Sequence, residues 1–340
     1  MRRESKIRQG RHHTGSKYGR RKKGTFFTSL LAIIGLLAAS YGIHEVNEQQ
    51  LPSEGYVNGA DIGILEVHFL DVGQGDATLI KCGGQAMLID TAEDDKGTAI
   101  QYYLMNQGVE DLDYLILTHP DSDHIGSADV IVTKYEIDHI LMTDYEKDNR
   151  TYRRMMEAMQ YKVVKPEIVR ADAAYGENAG QAGENARQSE YAWRAGDTFT
   201  LGSAVCTIVA PVDTYDDPNN ASIALLIEHG ENSFLFTGDA EKEAEKDILE
   251  NCILSGISLQ ADVYKAGHHG SSTSSCEELL DMVSPQYTVI SCGLDNSYGH
   301  PHEETMERFD ERGIQVYRTD EQGSIVAVSD GTQITWKTTQ

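Results

Sequence analysis

Hydrophobic and polar positions alternate along "ILEVHFLDV", residues 64–72, setting Leu65, Val67 and Phe69 against Glu66 and His68. A period of two predicts a half-buried strand. "ATLIKC" and "AMLID" add two short apolar runs around Gly83-Gly84, a hairpin pattern. Residues 98–107 fit a helix ended by Gly108, and "YLILT" is a buried strand. Further on, "SIALLIEHGENSFLFTGD" reads as two strands joined at Gly230, followed by the amphipathic helix "EKEAEKDILEN". "ADVYKAG" and "YTVIS" are strands. "PHEETMERFDERG" is a helix with Pro301 in its first turn and Gly313 past its end. Residues 172–192, rich in Ala, Gly, Glu and Asn, form an insertion or mobile loop with little to bury. A single α/β domain over 64–338 accounts for these elements, and no repeat of solenoid length is present.

One segment departs from both periods. Residues 24–43, "GTFFTSLLAIIGLLAASYGI", carry no charge and no polar face. Roughly 20 such residues at ~1.5 Å per residue span a bilayer core. Residues 1–23 before it hold ten of the 29 Lys and Arg against one acid, Glu4. Such a cluster keeps the N-terminus in the cytoplasm. The expected order is a basic cytoplasmic tail (1–23), a transmembrane anchor or signal segment (24–43), a linker (44–63) and an extracytoplasmic domain. Small residues Ala38, Ala39 and Ser40 keep signal cleavage and secretion open as the alternative.

Charge and cysteines narrow the partners. The 19 remaining bases face 53 acids, leaving residues 24–340 near −34. Such a body repels polyanions, and Lys162, Lys165 and Arg170, or Tyr152 with Arg153 and Arg154, are at most local basic patches. The five cysteines (Cys82, Cys206, Cys252, Cys276, Cys292) are dispersed and form no C-x-x-C pair, so buried thiols are expected rather than a disulfide framework. No protein partner is implied.

The densest chemistry is "LTHPDSDHIGS", residues 117–127, where His119, Asp121, Asp123 and His124 leave the end of a strand. Imidazole and carboxylate together are a normal zinc or manganese set. On a tight loop, two donors can serve one metal and two another. Two metals about 3.5–4 Å apart would clamp the attacking and leaving oxygens of an ester. A bridging carboxylate is still needed, and Asp239 of "FLFTGD" is the candidate.

"LTHPDSDHIGS" resembles the H-x-[HD]-x-D-H signature of the metallo-β-lactamase superfamily. "VHFLDVGQGDATLI", "LID", "NNASIALLI", "FTGD", "KAGHHGSS" and "SYGHPH" are similar to its ComEC branch, in the same order, from about Ile64 to Val328. The resemblance implies a four-layer αββα sandwich holding two divalent metal ions, Zn or Mn, at one rim. Carried over, His119 would bind the first metal, Asp123 and His124 the second, and Asp239 both. Of "HHG", His269 would be the late metal ligand and His268 a substrate contact, or the reverse. Asp90 would support the site from behind, unless it is only a turn residue. Asp121 stands where a second histidine is common, and Asn219 or Asn220 near another. Both departures resemble the ComEC branch and move weight toward phosphodiester hydrolysis.

The expected activity is therefore that of a two-metal phosphodiesterase or nuclease, with Asp123 orienting the nucleophile and His268 or His300 assisting the leaving group. The substrate is a small molecule, an envelope polymer or a nucleic acid. Alternatives are hydrolysis of a carboxyl ester, lactone or amide, and a non-catalytic binding module at the membrane. Ser271 and Ser272 either hold an oxyanion or cap a helix starting near Cys276, and Gln74 and Asp76 of "GQGD" either face the site or only turn the chain.

Overall fold

The computed structural model describes residues 55–57, 60–171 and 192–340. The tail, the apolar segment at 24–43, most of the linker and nearly all of the insertion at 172–192 lie outside the described residues. Among the described residues, no helix is long and apolar enough to cross a membrane.

Within the linker stretch, β1 (Gly55–Val57) pairs with β2 (Ala60–Ile62). The alternating segment is β3 (Leu65–Phe69). Strands β4 (Thr78–Cys82) and β5 (Gln85–Ile89) meet at Gly83-Gly84, both at positive φ, where glycine escapes the Cβ penalty. Next come α1 (Gly97–Asn106), β6 (Leu112–Leu117), α2 (Ser122–Ile125) and α3 (Ala128–Lys134). They are followed by β7 (Ile137–Thr143), α4 (Arg150–Lys162), β8 (Glu167–Val169) and β9 (Ala192–Trp193).

A second series begins with β10 (Thr198–Leu201), β11 (Ala204–Ala210), β12 (Ala224–His229) and β13 (Asn232–Phe236). It continues through α5 (Lys242–Ser255), β14 (Val263–Lys265), a tight turn at Gly267–Gly270, α6 (Glu277–Val283) and β15 (Tyr287–Ile290). The last elements are α7 (Glu303–Glu311), β16 (Gln315–Arg318), α8 (Thr319–Gln322), β17 (Ile325–Ser329) and β18 (Ile334–Thr338).

The strands form two mixed sheets, ordered β18-β17-β3-β4-β5-β6-β7-β8-β9 and β10-β11-β12-β13-β14-β15-β16. Pairing is parallel from β5 to β9 and from β13 to β16, and antiparallel elsewhere. Leu65, Val67, Phe69 and Met87 of one sheet pack against Leu225, Phe234, Phe236 and Val289 of the other. Phe69 stacks on Phe236 at 6.0 Å between centroids. The outer face of the first sheet is covered by α1, α3 and α4 through Ile100, Leu104, Ile131 and Met155. That of the second is covered by α5, α6 and α7 through Ile248, Leu280 and Phe309. The layers are αββα, the expected fold class.

Covering both faces corrects the half-buried expectation for β3. His68 is also buried, with its Nδ1 3.0 Å from the Tyr103 hydroxyl of α1. The last long helix starts at Glu303, so Pro301, preceded by a cis peptide bond, lies before its first turn. All five cysteines are free and buried, and burial pushes the thiols of Cys252, Cys276 and Cys292 up to about 12. Such thiols are inert at neutral pH.

Candidate active site

Parallel strands end at the same rim, which is why residues far apart in sequence meet there. Asp90 follows β5, His119 to His124 follow β6, Asp239 follows β13, and His268 and His269 follow β14. Asp76 reaches the same place from the loop after β3.

Four imidazoles converge on the Asp239 carboxylate. His124 Nε2 lies 3.2 Å from Oδ1, while Nε2 of His269, His268 and His119 lie 3.6, 3.7 and 4.0 Å from Oδ2. His269 Nε2 is also 3.3 Å from Asp123 Oδ2. His119, His124, His269 and Asp239 are almost wholly buried, whereas Asp123 and His268 are partly open.

The far side of each buried ring explains its orientation. His269 Nδ1 donates to the Ser291 carbonyl at 3.0 Å, and His124 Nδ1 to Asp90 Oδ2 at 2.7 Å. His119 Nδ1 faces the hydroxyls of Thr118 at 3.1 Å and Ser222 at 3.3 Å. The Thr118 hydroxyl gives its proton to Asp90, so it can accept from His119. These contacts hold the proton on Nδ1 and aim each Nε2 inward. Asp90 adopts φ +59 and also accepts from the Thr118 amide at 2.8 Å, so it is the anchor behind the 119–124 loop.

Those inward atoms have no hydrogen-bond partner. Nε2 of His119, His124 and His269, Oδ1 of Asp239 and Oδ1 of Asp76 are all buried and unpaired. An unpaired buried polar atom costs about 1–3 kcal/mol, so five around one point would be costly without a common partner. A divalent cation is that partner chemically, and Asp76, His124, Asp239 and His269 each offer a ligand atom within 4.8 Å of one another. The residues fit the metal chemistry of the motif.

Electrostatics agree with a cation-ready site. Burial and the His124 imidazole depress His119 to about 3. Burial opposes a charge on His124, but the Asp239 and Asp90 carboxylates outweigh it and hold its pKa well above the ordinary value. Burial likewise opposes ionisation of Asp239, and His124 and His269 prevail, holding it well below the usual carboxylate range.

Asp121 has a different partner from its neighbours. Its carboxylate lies 2.5 Å from Lys147 Nζ, and its carbonyl accepts from the His124 and Ile125 amides. It sits at the entry to α2, and its carboxylate is paired with Lys147. Asn220 likewise has a partner of its own. Its carboxamide oxygen accepts from the Glu241 amide at 2.9 Å and thereby supports the loop after Asp239. His300 is buried beside the cluster, with ring centroids 5.5 Å from His268 and 6.1 Å from His269. Burial and the surrounding imidazoles lower it to about 4.

Ser271 and Ser272 cap no helix. The Ser275 and Cys276 amides ahead of α6 donate instead to the buried Glu245 carboxylate, at 2.6 and 2.8 Å. Gln74 accepts from the Gly293 amide at 3.2 Å, bracing the loop after β15.

Of the two readings open for Asp76 the site-facing one holds, and Lys265, which the motif reading left without a role, joins it. Asp76 joins the cluster, and Lys265 pairs with it at 2.9 Å. Lys265 was detectable as the one charged residue in the apolar strand "VYKA". The loop carrying Asp76 can approach so closely because of Gly75, at φ +123. A Cβ there would lie 2.6 Å from the Asp123 carbonyl oxygen.

Comparisons place these residues in a known context. The metallo-beta-lactamase superfamily profile matches residues 70–294. The chain is 28% identical over 286 residues to ComE operon protein 3 of Bacillus subtilis (strain 168), covering 76% of this chain and 32% of that protein. It is 31% identical over 265 residues to Recombination protein 2 of Haemophilus influenzae, covering 76% and 28%. The chain thus spans about a third or less of these relatives' length. Among solved structures, the metallo-beta-lactamase fold protein YhfI from Bacillus subtilis matches with a TM-score of 0.44 at 12% identity, over 78% of this chain and 100% of that one. With its sandwich, its motif order and its metal-ready rim, the chain belongs to the metallo-beta-lactamase superfamily of metal-dependent hydrolases, as a ComEC-like member.

Proposed function

We propose that this hydrolase cleaves phosphodiesters with two divalent metals, Zn or Mn, outside the cytoplasmic membrane. The observation that carries it is the carboxylate-rich cluster of Asp76, Asp123 and Asp239 among His119, His124 and His269, with Asp121 paired to Lys147. A first metal position with few nitrogen donors suits oxygen-loving ions and phosphoryl oxygens. The competence and recombination proteins among the relatives favour a nucleic-acid context.

Bound there, the metals supply a nucleophile at neutral pH and neutralise charge on the phosphoryl oxygens. The protein's own residues do the rest. Asp239 faces both ligand groups, and Asp123, beside His269 and partly open, orients the attacking oxygen. His268 is placed to give a proton to the leaving oxygen. Its side chain is 22% exposed, and its Nδ1 lies 3.4 Å from Glu241 Oε1, which orients the ring. His300, neutral near pH 7, offers a hydrogen bond from the same side.

Residues 24–43 anchor the domain with the basic tail inside, and a cleaved, secreted form is the alternative. Recovery of the full chain in a soluble fraction after cell lysis, with residues 24–43 still attached, would overturn the anchor.

Charge shapes the substrate. Arg154 pairs with Asp129 and Asp94, Arg153 with Asp148, Lys162 with Glu136 and Arg170 with Asp144. These basic groups are neutralised in place and form no track along a duplex. A short or single-stranded phosphodiester fits better.

The test is hydrolysis of bis-p-nitrophenyl phosphate by the purified full chain, loaded with Zn or Mn and then chelated, beside a carboxyl ester and a lactone. Metal-dependent release from the phosphodiester is expected. Turnover of only the ester or lactone overturns phosphodiester hydrolysis. Failure to bind metal returns the chain to a binding module.

A further inference from the structure

We infer that Tyr298 is a stacking platform for a nucleobase flanking the scissile phosphodiester, an inference that rests on the phosphodiesterase function proposed above. The loop from Gly293 to His302 forms one wall of the rim. Asn296 ties it together: its Nδ2 donates to the carbonyls of Gly293 at 2.9 Å and His300 at 2.6 Å. Its Oδ1 accepts from the amides of Tyr298 at 3.2 Å and His300 at 3.0 Å. The Tyr298 carbonyl lies 3.2 Å from His302 Nε2, and His302 Nδ1 accepts from the Ser272 amide at 2.9 Å.

The loop's exposed residues are Asp295 and Ser297 together with two large hydrophobic side chains and Gly299. Leu294 is 74% and Tyr298 64% exposed, on a body that is otherwise strongly acidic. Tyr298 lies nearly parallel to His300, at 5.6 Å between centroids and 21° between planes. His300 lies nearly parallel to His269, at 6.1 Å and 27°. Both spacings are those of offset-stacked rings. The rings form a ladder from the metal-ligand cluster out to an open aromatic face.

A nucleobase is the occupant this arrangement suits. A base continues the ladder with its own flat face, and stacking tolerates any base because each has one. It also answers the charge problem. With Arg153, Arg154, Lys162 and Arg170 paired to acids, phosphate attraction contributes less, and an uncharged contact can supply affinity. An envelope polymer without aromatic groups would gain nothing from this ring.

The experiment uses the full chain, metal-loaded, with a short single-stranded DNA and the same strand carrying abasic residues, which keeps the phosphates and removes the bases. The wild-type chain is expected to prefer the base-bearing strand in kcat/KM by about 5- to 100-fold, the yield of one base stacked on an aromatic ring. Tyr298→Phe keeps that ratio, and Tyr298→Ala brings it close to one. Equal cleavage of both strands by the wild type, or an undiminished ratio in Tyr298→Ala, overturns the inference. Binding is read separately from the fluorescence quenching of a 2-aminopurine base in the strand. Quenching that depends on Tyr298 without any turnover would count against phosphodiester cleavage and leave the stacking site standing. Absence of quenching in the wild type removes the stacking site itself.

Discussion

Asp76 and Lys265 are 189 residues apart in the chain and 2.9 Å apart in the fold, and both are nearly sealed from water. Burial opposes a charge on Asp76, and Lys265, followed by His269, overcomes it, so the carboxylate stays ionised and faces the cluster. Lys265 also donates to the Ala266 carbonyl, which fixes its head group behind Asp76. Lys265→Met should leave a buried charge without its partner and destabilise the metal-free chain by about 3–5 kcal/mol. Urea unfolding measures this, and adding Asp76→Asn should restore most of the loss. A cost under about 1 kcal/mol for the single change would show that the pair does not hold Asp76.

Asp90 should matter through His124. Asp90→Asn keeps the shape and tolerates the left-handed backbone at φ +59, but weakens the hold on the Nδ1 proton. Metal affinity should fall about 10–100-fold while the chain stays folded. Competition with a chromogenic chelator gives the affinity, and circular dichroism gives the fold.

Removing the shared carboxylate should be more severe. Asp239→Ala and Asp123→Ala should each lower kcat by about 10³-fold or more on any substrate the wild type turns over. Metal analysis should find less bound metal in Asp239→Ala. Activity surviving both changes would falsify the assignment of this cluster as the reaction centre.

How much of this was legible in the sequence depended on local spacing. His119, Asp123 and His124 lie within six residues, and Asp239 and His269 each end an apolar run, so all five were found as donors. The αββα layering came from the resemblance, since alternation in β3 suggested only one buried face. Asp121 shares the spacing of its neighbours but sits where α2 begins and pairs with Lys147. The Asp76–Lys265 pair has no local trace, because its partners come from different sheets. Helix α4 passed as basic patches, since only Met155, Ala158 and Met159 of its thirteen residues are buried. Long-range pairing decided each of these cases.

Gly75 offers a test of close approach. Gly75→Ala places a methyl 2.6 Å from the Asp123 carbonyl oxygen at a φ that disfavours side chains. It should cost about 1–3 kcal/mol and weaken metal binding, because Asp76 moves with it. Gly84→Ala, also at positive φ but with nothing within 4 Å, should lower the melting temperature less and leave metal binding intact.

Away from the site, Glu66 carries a pH signature. His68, ahead of Lys81, lowers its carboxyl from the ordinary 4.5 to about 2 despite partial burial. A carboxylate with a depressed folded pKa stabilises the protein above its unfolded value. That contribution shrinks as pH falls from 4.5 toward 2. Glu66→Gln should therefore cost about 1–2 kcal/mol at pH 7, and the gap to wild type should narrow by pH 3. Urea midpoints across that range measure it, and a gap that stays constant would remove the linkage.

The two-sheet origin of the ligands sets the timing of assembly. A partly synthesised chain presents only the 119–124 donors and Asp76, with Asp239 still missing and His269 later still. Strand β17 pairs with β3 in the first sheet and β18 pairs with β17, so that sheet also waits for these late strands. Contacts so distant in sequence form late and slowly. A cation met early finds an incomplete set of donors, and the finished cage closes only around a chain that has already folded.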